Sequence, residues 1–338
     1  MSHVESRSGG EVTAVAAPPR AAARPVVAVA AGSLYSLGGL ATLFFLIQVV
    51  TGVLLLVYYR PSAAAAHYSL GILIDEVRVG WLLRSIHYWS SDLLILCGLL
   101  HLIRVYFARA YQGERRAAWT TGVVLMVVVL AFGFTGTLLP WDQYAYWEVD
   151  SSRVSVAGIP LLGAALLNVF WGGWELGEEV LLRFYAVHVG ILPWLAVMVL
   201  SVHLWLIARA RRSAPVATNA ESPSDLAFVV LATLLLTVGV LLSLAVAFPP
   251  PLGPPADPLS PPLSVQPRWY LLPARQLLRH WPGGVALLMV MAIFILVLTV
   301  PFIDRREVES GTGRLVRWGL GVAGLAACLF LAARQYFS

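Results

Sequence analysis

Apolar residues along this chain fall into seven long runs, not into the short alternating stretches of sheet proteins. The runs occupy approximately 33–58, 81–108, 119–139, 181–208, 226–248, 283–303 and 316–336. Each can cross roughly 30 Å of hydrocarbon at about 1.5 Å per residue, so each predicts a membrane-spanning helix. Pro61 closes the first run, Pro140 the third and Pro249-Pro250-Pro251 the fifth, as a ring without an N–H should. The fold class predicted is an all-α membrane protein with seven transmembrane helices. Residues 1–30, rich in Ala, Pro, Arg and Ser, have no apolar period and read as a disordered cytoplasmic tail. Glu5 and Glu11 argue against a transit peptide there, and the run that follows is too long for a signal peptide.

Composition removes the soluble alternatives. Of the 338 residues 59% are hydrophobic and only 12% charged, too little polar surface to cover a water-soluble globule. A net charge of +5, spread over the loops, gives no concentrated basic face, so nucleic acid is not an expected partner. All 23 basic residues are arginine, which excludes Schiff-base chemistry and a P-loop lysine. Cys97 and Cys328 both lie in apolar runs and make neither a disulfide framework nor a CxxC metal site.

Arginine placement sets the predicted orientation. The second-to-third connection carries Arg104, Arg109, Arg115 and Arg116, the fourth-to-fifth Arg209, Arg211 and Arg212, and the sixth-to-seventh Arg305, Arg306, Arg314 and Arg317. With Arg7, Arg20 and Arg24 these make 14 of the 23 arginines on one side, which is assigned as cytoplasmic. The N-terminus is then inside, and the long third-to-fourth and fifth-to-sixth connections are outside. The first of these is acidic, with Asp142, Glu148, Asp150, Glu175, Glu178 and Glu179.

Four of the 7 histidines sit inside two of the runs. His87 and His101 are 14 residues apart on the second span, and His188 and His203 are 15 apart on the fourth. At 100° per residue these intervals return to within about 40° and about 60° of the start, so each pair shares a helix face about 21–22 Å long. The two spans run the same way, which puts His87 level with His188 and His101 level with His203. Two stacked bis-imidazole sites suit six-coordinate haem used for electron transfer. The plainer alternative is four interior histidines hydrogen-bonded across a helix bundle, as in a haem-free transporter or anchor.

Glycine repeats the interval. Gly38 and Gly52 on the first span, and Gly122 and Gly136 on the third, are each spaced by 14. A flat macrocycle between helices needs places where backbone comes close, although small residues also serve ordinary helix packing. Arg84 and Arg104 stand one turn from the two second-span histidines and Arg183 stands just before His188. Each is a candidate to pair with a haem propionate, or else to snorkel to the interface.

These residues resemble the cytochrome b family of quinol–cytochrome c reductases over about residues 33–305. The resemblance is carried by Leu37-Gly38-Gly39 with Gln48-Val49-Val50-Thr51-Gly52, and by Arg84-Ser85-Ile86-His87 with His101-Leu102-Ile103-Arg104. It continues in Gly136-Thr137-Leu138-Leu139-Pro140-Trp141-Asp142-Gln143, in Arg183-Phe184-Tyr185, in Ala256-Asp257-Pro258-Leu259 and in Pro267-Arg268-Trp269-Tyr270. The 15-residue histidine interval, the Pro-Trp-Asp-Gln wording and the seven spans are closer to the branch made of cytochrome b6 plus subunit IV, here fused in one chain. The resemblance implies a four-helix dihaem bundle over 31–210, a linker at 211–225 and a subunit IV-like three-helix domain over 226–338. It also implies two non-covalent b-type haems ligated by His87, His188, His101 and His203, and quinone sites near both surfaces. An iron–sulfur (Rieske-type) protein and/or a cytochrome c would dock outside, the chain would be a homodimer, and the membrane would be a bacterial inner membrane.

Two departures alter what is implied. The b6 branch attaches a third haem through a cysteine at the position of Ser36, so no covalent haem is expected. The family's outer quinol site has a Pro-Glu-Trp-Tyr motif whose glutamate accepts a quinol proton; here Arg268 replaces it, and a guanidinium cannot take that proton. The outer pocket is expected between the third-to-fourth connection and the segment around Arg268, Trp269 and Tyr270, with Asp142 nearby as a candidate acceptor. Asp92, a carboxylate inside a span, faces away from the histidines and reads either as a proton group or as a hydrogen-bond partner for the first span or another subunit. His67 and His280 are further candidate relays. A dihaem conduit to a dedicated outer oxidoreductase, without quinol bifurcation, is the alternative that Arg268 favours.

Overall fold

The computed structural model describes residues 37–212, 223–262, 265, 267–304 and 311–336. The predicted tail, Ser36, most of the predicted linker, Arg305 and Arg306 lie outside the described residues. In chain order the helices are α1 (Leu37–Leu56), α2 (Ala66–Asp75), α3 (Gly80–Phe107), α4 (Arg116–Leu138), α5 (Gln143–Ala157), α6 (Gly163–Leu166), α7 (Glu178–Tyr185), α8 (Leu192–Arg212), α9 (Pro223–Ala247), α10 (Leu272–His280), α11 (Gly283–Ile303) and α12 (Gly311–Tyr336). Among the described residues seven helices are long and apolar enough to cross a membrane: α1, α3, α4, the continuous α7–α8 rod, α9, α11 and α12. The chain is therefore an all-α, seven-span protein, and every predicted run overlaps one of these helices. The shorter α2, α5, α6 and α10 were not foreseen, because none is long enough to announce itself as a span.

The first four spans form a bundle in which α1 lies along α3 and α4 lies along α8. Its core is Phe44, Phe45, Leu94, Cys97, Val128, Leu192 and Ala196, and Leu241 of α9 closes it from the side. A second core, under the third-to-fourth connection, gathers Leu138, Trp141, Tyr146, Val149, Leu167, Trp171, Leu181 and Phe184. Trp141 opens this connection with φ of 50°. That left-handed backbone is strained for a bulky residue and turns the chain sharply after Pro140. The connection meets α11 at Gly158 and Gly284, where any Cβ on Gly284 would collide with the Gly158 carbonyl.

The three later spans are fastened to the bundle near both ends. Ser85 Oγ donates to the Ala245 carbonyl at 2.7 Å and Trp89 Nε1 to that of Phe248 at 2.8 Å. At the other end Arg109 grips Asp304 with two bonds of 2.6 and 2.8 Å, and Tyr111 Oη donates to the same carboxylate at 2.8 Å. Trp119 Nε1 adds a bond to the Val297 carbonyl at 2.8 Å.

The α7–α8 rod is not a regular helix. Ala186–Ile191, which includes His188, forms a π-helical turn. Pro193 has no N–H to give the carbonyl four residues earlier, which favours the wider turn. A π turn holds one extra residue, so the 15-residue interval from His188 to His203 covers the arc that 14 residues cover on α3. The one-residue mismatch between the two histidine intervals is absorbed there.

Candidate cofactor and quinone sites

Imidazole placement follows from these four spans. His87 lies within electrostatic reach of His188, and His101 within reach of His203, the two level pairs expected from the spacing. Each ring is seated on one glycine of a neighbouring helix. A Cβ built at Gly38 would stand 3.1 Å from His101 Cε1, at Gly52 3.4 Å from His87 Cε1, at Gly122 3.1 Å from His203 Cε1 and at Gly136 2.8 Å from His188 Cε1. The 14-residue glycine interval thus repeats the histidine interval because the two sets touch.

Threonine immediately precedes three of these glycines, a signal the sequence reading passed over. Thr51 Oγ1 is 2.8 Å from His87 Nδ1, Thr121 Oγ1 2.9 Å from His203 Nδ1 and Thr135 Oγ1 3.0 Å from His188 Nδ1. Each hydroxyl already donates to a carbonyl one turn back, to Ile47 at 2.7 Å, Ala118 at 3.0 Å and Ala131 at 2.8 Å. It can therefore only accept from the ring, which fixes the Nδ1–H tautomer and leaves Nε2 as the unprotonated nitrogen. At the fourth position Leu37 precedes Gly38, and His101 Nδ1 is buried without a hydrogen-bond partner. Gln48 braces α3 beside this site by donating to the His87 carbonyl at 2.5 Å and to Ser90 Oγ at 2.7 Å.

Two of the three flanking arginines bind carbonyls of the loops. Arg84 donates to the Pro250 and Pro251 carbonyls at 2.6 and 3.0 Å. Arg183 donates to the carbonyls of Asn168 and Val169 in the third-to-fourth connection. Arg104 is exposed, one turn beyond His101.

On the predicted outer side, the two long connections meet. Asp142 caps α5 by accepting the Ala145 N–H at 2.9 Å and also accepts the Gly253 N–H at 3.1 Å. Gln143 N donates to the Pro254 carbonyl at 2.8 Å, and Asp257 N to Gln143 Oε1 at 2.6 Å. His67 Nε2 donates to the Gly253 carbonyl at 2.7 Å, holding the same loop from α2. His280 Nδ1 is 3.0 Å from the Gln276 carbonyl of its own helix. Asp142 and His67 thus act as clasps in this arrangement.

Arg268 points inward to Asp92. Its Nη2 donates to Asp92 Oδ1 at 2.6 Å, and its guanidinium lies 4.0 Å from the Tyr88 ring centroid, a stacked cation–π contact. Within the chain, the intramembrane carboxylate is therefore partnered by this arginine. Tyr270 follows it inward and its hydroxyl lies against Gly133, where a Cβ would meet it at 2.5 Å. Burial pushes the Tyr270 hydroxyl up to about 12, so it stays protonated. Trp269 turns the other way and lines a surface cleft with Pro267, Leu272 and Tyr336. The outer-site residues expected together are thus divided between two faces.

Glu148 joins this group, although the sequence marked it only as one of several acids. It accepts the Arg268 backbone N–H, while its Oε1 is buried without a partner. Burial raises its carboxyl to about 7, against the pull of Arg268 and Arg275 and with a small push from Asp142.

Comparison with known proteins bears directly on these sites. The sequence model described as Cytochrome b/b6/petB matches residues 24–211, and that described as Cytochrome b(C-terminal)/b6/petD matches 255–334. The "Cytochrome bc complex cytochrome b subunit" of Chlorobaculum thiosulfatiphilum is 38% identical over 316 residues, covering 89% of this chain and 72% of that one. The chain belongs to the cytochrome b/b6 family. Cytochrome b6 of Synechococcus sp. (strain JA-3-3Ab) is 41% identical over 181 residues, 54% of this chain and 84% of the relative. A solved chain titled "Hyperthermophilic respiratory Complex III" superposes with a TM-score of 0.75 at 26% identity, over 89% of this chain and 83% of that one. The family resemblance read from the sequence thus holds, and the chain is a transmembrane electron-transport protein.

Cytochrome b membership implies b-type haem, and the donor set fits it. Among the described residues no three His, Cys, Asp or Glu side chains converge as a metal cage. Imidazoles in twos, with Nε2 unprotonated and backbone held close by glycine, are what a macrocycle that supplies its own equatorial ligands requires.

Proposed function

We propose that this cytochrome b moves electrons between an outer and an inner quinone site of a quinol–cytochrome c reductase-like complex, through two non-covalent b-type haems. The observation that carries the reading is the seating of four imidazoles on four glycines in two level pairs. His87 and His188 would ligate the outer haem, and His101 and His203 the inner one. When bound, such haems supply one-electron transfer and leave no coordination position for substrate. Gly38, Gly52, Gly122 and Gly136 hold backbone close to the rings, and Thr51, Thr121 and Thr135 keep three rings turned with Nε2 inward. Arg84, Arg104 and Arg183 would neutralise propionates: the guanidinium groups of Arg84 and Arg183, bound to loop carbonyls, keep donors to spare, and that of Arg104 is exposed.

The outer quinol pocket would lie between α5 and the segment Pro267–Tyr270. Asp142 would shape its rim as a cap, Tyr270 would offer a hydroxyl from within, Arg268 would fix the wall through Asp92, and Trp269 would face the surface cleft. Ser36 leaves no thioether for a third haem. The division into 31–210, a linker at 211–225 and 226–338 is supported by the separate matches to the two halves. An outer iron–sulfur (Rieske-type) protein or cytochrome c, a homodimeric assembly and a bacterial inner membrane with the N-terminus cytoplasmic complete the reading. Charge moved across the bilayer in this way conserves energy, about 2.3 kcal/mol per charge per 100 mV.

The test is optical. Complex purified in detergent should show a dithionite-reduced b-type spectrum with two acid-extractable haems per chain, and one haem after His188→Leu. A colourless preparation refutes the proposal and returns the chain to the transporter or anchor class. The conduit reading is favoured by Arg268 alone. Quinol-dependent cytochrome c reduction sensitive to outer-site inhibitors excludes it.

A further inference from the structure

We propose that Glu148 accepts a proton from quinol at the outer site, supplying from α5 the carboxylate that Arg268 removes from the opposite wall. The inference rests on the outer quinol site proposed above. Three observations carry it. Glu148 accepts the Arg268 backbone N–H, so the carboxylate stands beside the position the family's glutamate would occupy. The Arg268 side chain turns away to Asp92 at 2.6 Å, so its charge is already matched and does not lock the Glu148 carboxylate in an ion pair. Finally, Glu148 Oε1 is buried and has no partner, so one acceptor position of the carboxylate is left open. A buried polar atom of this kind calls for a ligand or a function.

The groups facing Glu148 fit the role. Asp142 stands at the start of its own helix, Arg268 and Tyr270 on the facing segment and Arg275 on α10. Asp92 acts only through Arg268. Burial raises the Glu148 carboxyl to about 7, near the point at which a general base works best at neutral pH. Tyr270 stays protonated and can donate to a quinone oxygen but cannot replace the base.

Oxidation of one quinol to quinone releases two protons and two electrons. One hydroxyl proton passes to Glu148 Oε1 as that O–H bond breaks, and Glu148 later releases it to the outer aqueous phase. The second proton leaves directly to that phase. The two electrons would be taken up one each by the acceptor classes already named: an iron–sulfur or c-type centre of the outer partner, and the haem that His87 and His188 would hold.

The experiment uses the intact complex with the inner quinone site inhibited, and follows decylubiquinol-driven b-haem reduction against pH, with infrared titration of carboxyl groups alongside. In the unsubstituted complex the rate should rise with pH through about 7, and a carboxylic-acid carbonyl band should disappear over the same range. Glu148→Gln should lose that band, flatten the pH profile and slow reduction about 100-fold or more, with the dithionite-reduced spectrum unchanged. Glu148→Asp should restore part of the rate and a shifted pH limb. A Glu148→Gln complex that keeps its haems, rate and pH limb overturns the assignment. So does an unsubstituted complex whose rate and infrared bands show no titration in this range, whether or not the variant assembles. Absence of any quinol-driven haem reduction in the unsubstituted complex overturns the outer-site reading itself.

Discussion

Four glycines touch four imidazoles, yet they do not touch equally, and that inequality can be measured. Gly136 and Gly52 both serve the outer pair. A Cβ at Gly136 would lie 2.8 Å from His188 Cε1, about 0.6 Å inside the 3.4 Å limit of ordinary contact, whereas a Cβ at Gly52 would lie at that limit. His188 cannot easily retreat. Its Nδ1 is tied to Thr135 at 3.0 Å, and Phe132 packs against its ring edge-on at 5.4 Å between centroids. Forcing a methyl group into such a contact costs about 1–3 kcal/mol. The helix-propensity gain of Gly→Ala, about 1 kcal/mol, acts on the helix with or without a bound cofactor, so it does not restore the ring's position. Gly136→Ala should therefore weaken retention of the haem at His87 and His188 by about 5- to 150-fold. Gly52→Ala should leave retention unchanged and raise thermal stability slightly. The assay is haem per chain by pyridine haemochromogen after dialysis against apomyoglobin, with a redox titration to show which haem is lost. Equal retention in both variants, or loss confined to Gly52→Ala, would refute the cradle argument.

Other expectations follow from neighbouring contacts. Leu37→Thr should give His101 Nδ1 the acceptor the other three rings have, leaving two haems bound and lowering the inner potential by about 20–60 mV in a redox titration. Asp92→Asn removes one side of a pair whose side chains are only 20% and 13% exposed, and should destabilise the chain by about 2–3 kcal/mol in thermal unfolding. Asp304 is held down to about 2, chiefly by the hydrogen bond from Arg109, below its ordinary value of 3.8. A depressed carboxylate contributes stability that is present above pH about 4 and is lost as pH falls toward 2, here about 1 kcal/mol once solvent screening of the partly exposed pair is counted. Asp304→Asn should abolish that acid-dependent part of the melting profile while lowering the neutral-pH melting temperature.

The spans were legible because lipid imposes one simple demand, an unbroken apolar length, and proline marks where three of them stop. The level histidine pairs were legible for a similar reason, since helical period converts spacing into position. What spacing could not show was the π turn at Ala186–Ile191, which reconciles intervals of 15 and 14 and depends on Pro193 breaking the local hydrogen-bond register. Thr51, Thr121 and Thr135 were visible as threonine–glycine dipeptides, but their meaning needed the neighbouring ring in place. Asp92 and Glu148 were beyond sequence reasoning in a stronger sense. Each is defined by Arg268, which is 176 residues from Asp92 and arrives by a connection without helical period. The short outer helices α2, α5 and α10 carried too little apolar length to separate them from loop.

The seam between the bundle and the later helices has a topological consequence. Ser85, Trp89 and Arg84 latch α9 and the loop after it near one surface, while Arg109, Tyr111 and Trp119 latch α11 near the other. None of these bonds uses residues 213–222, which join the two parts. The two parts are thus matched to each other by side chains at both surfaces, so that two polypeptides carrying the same groups would bring with them the contacts that set this register.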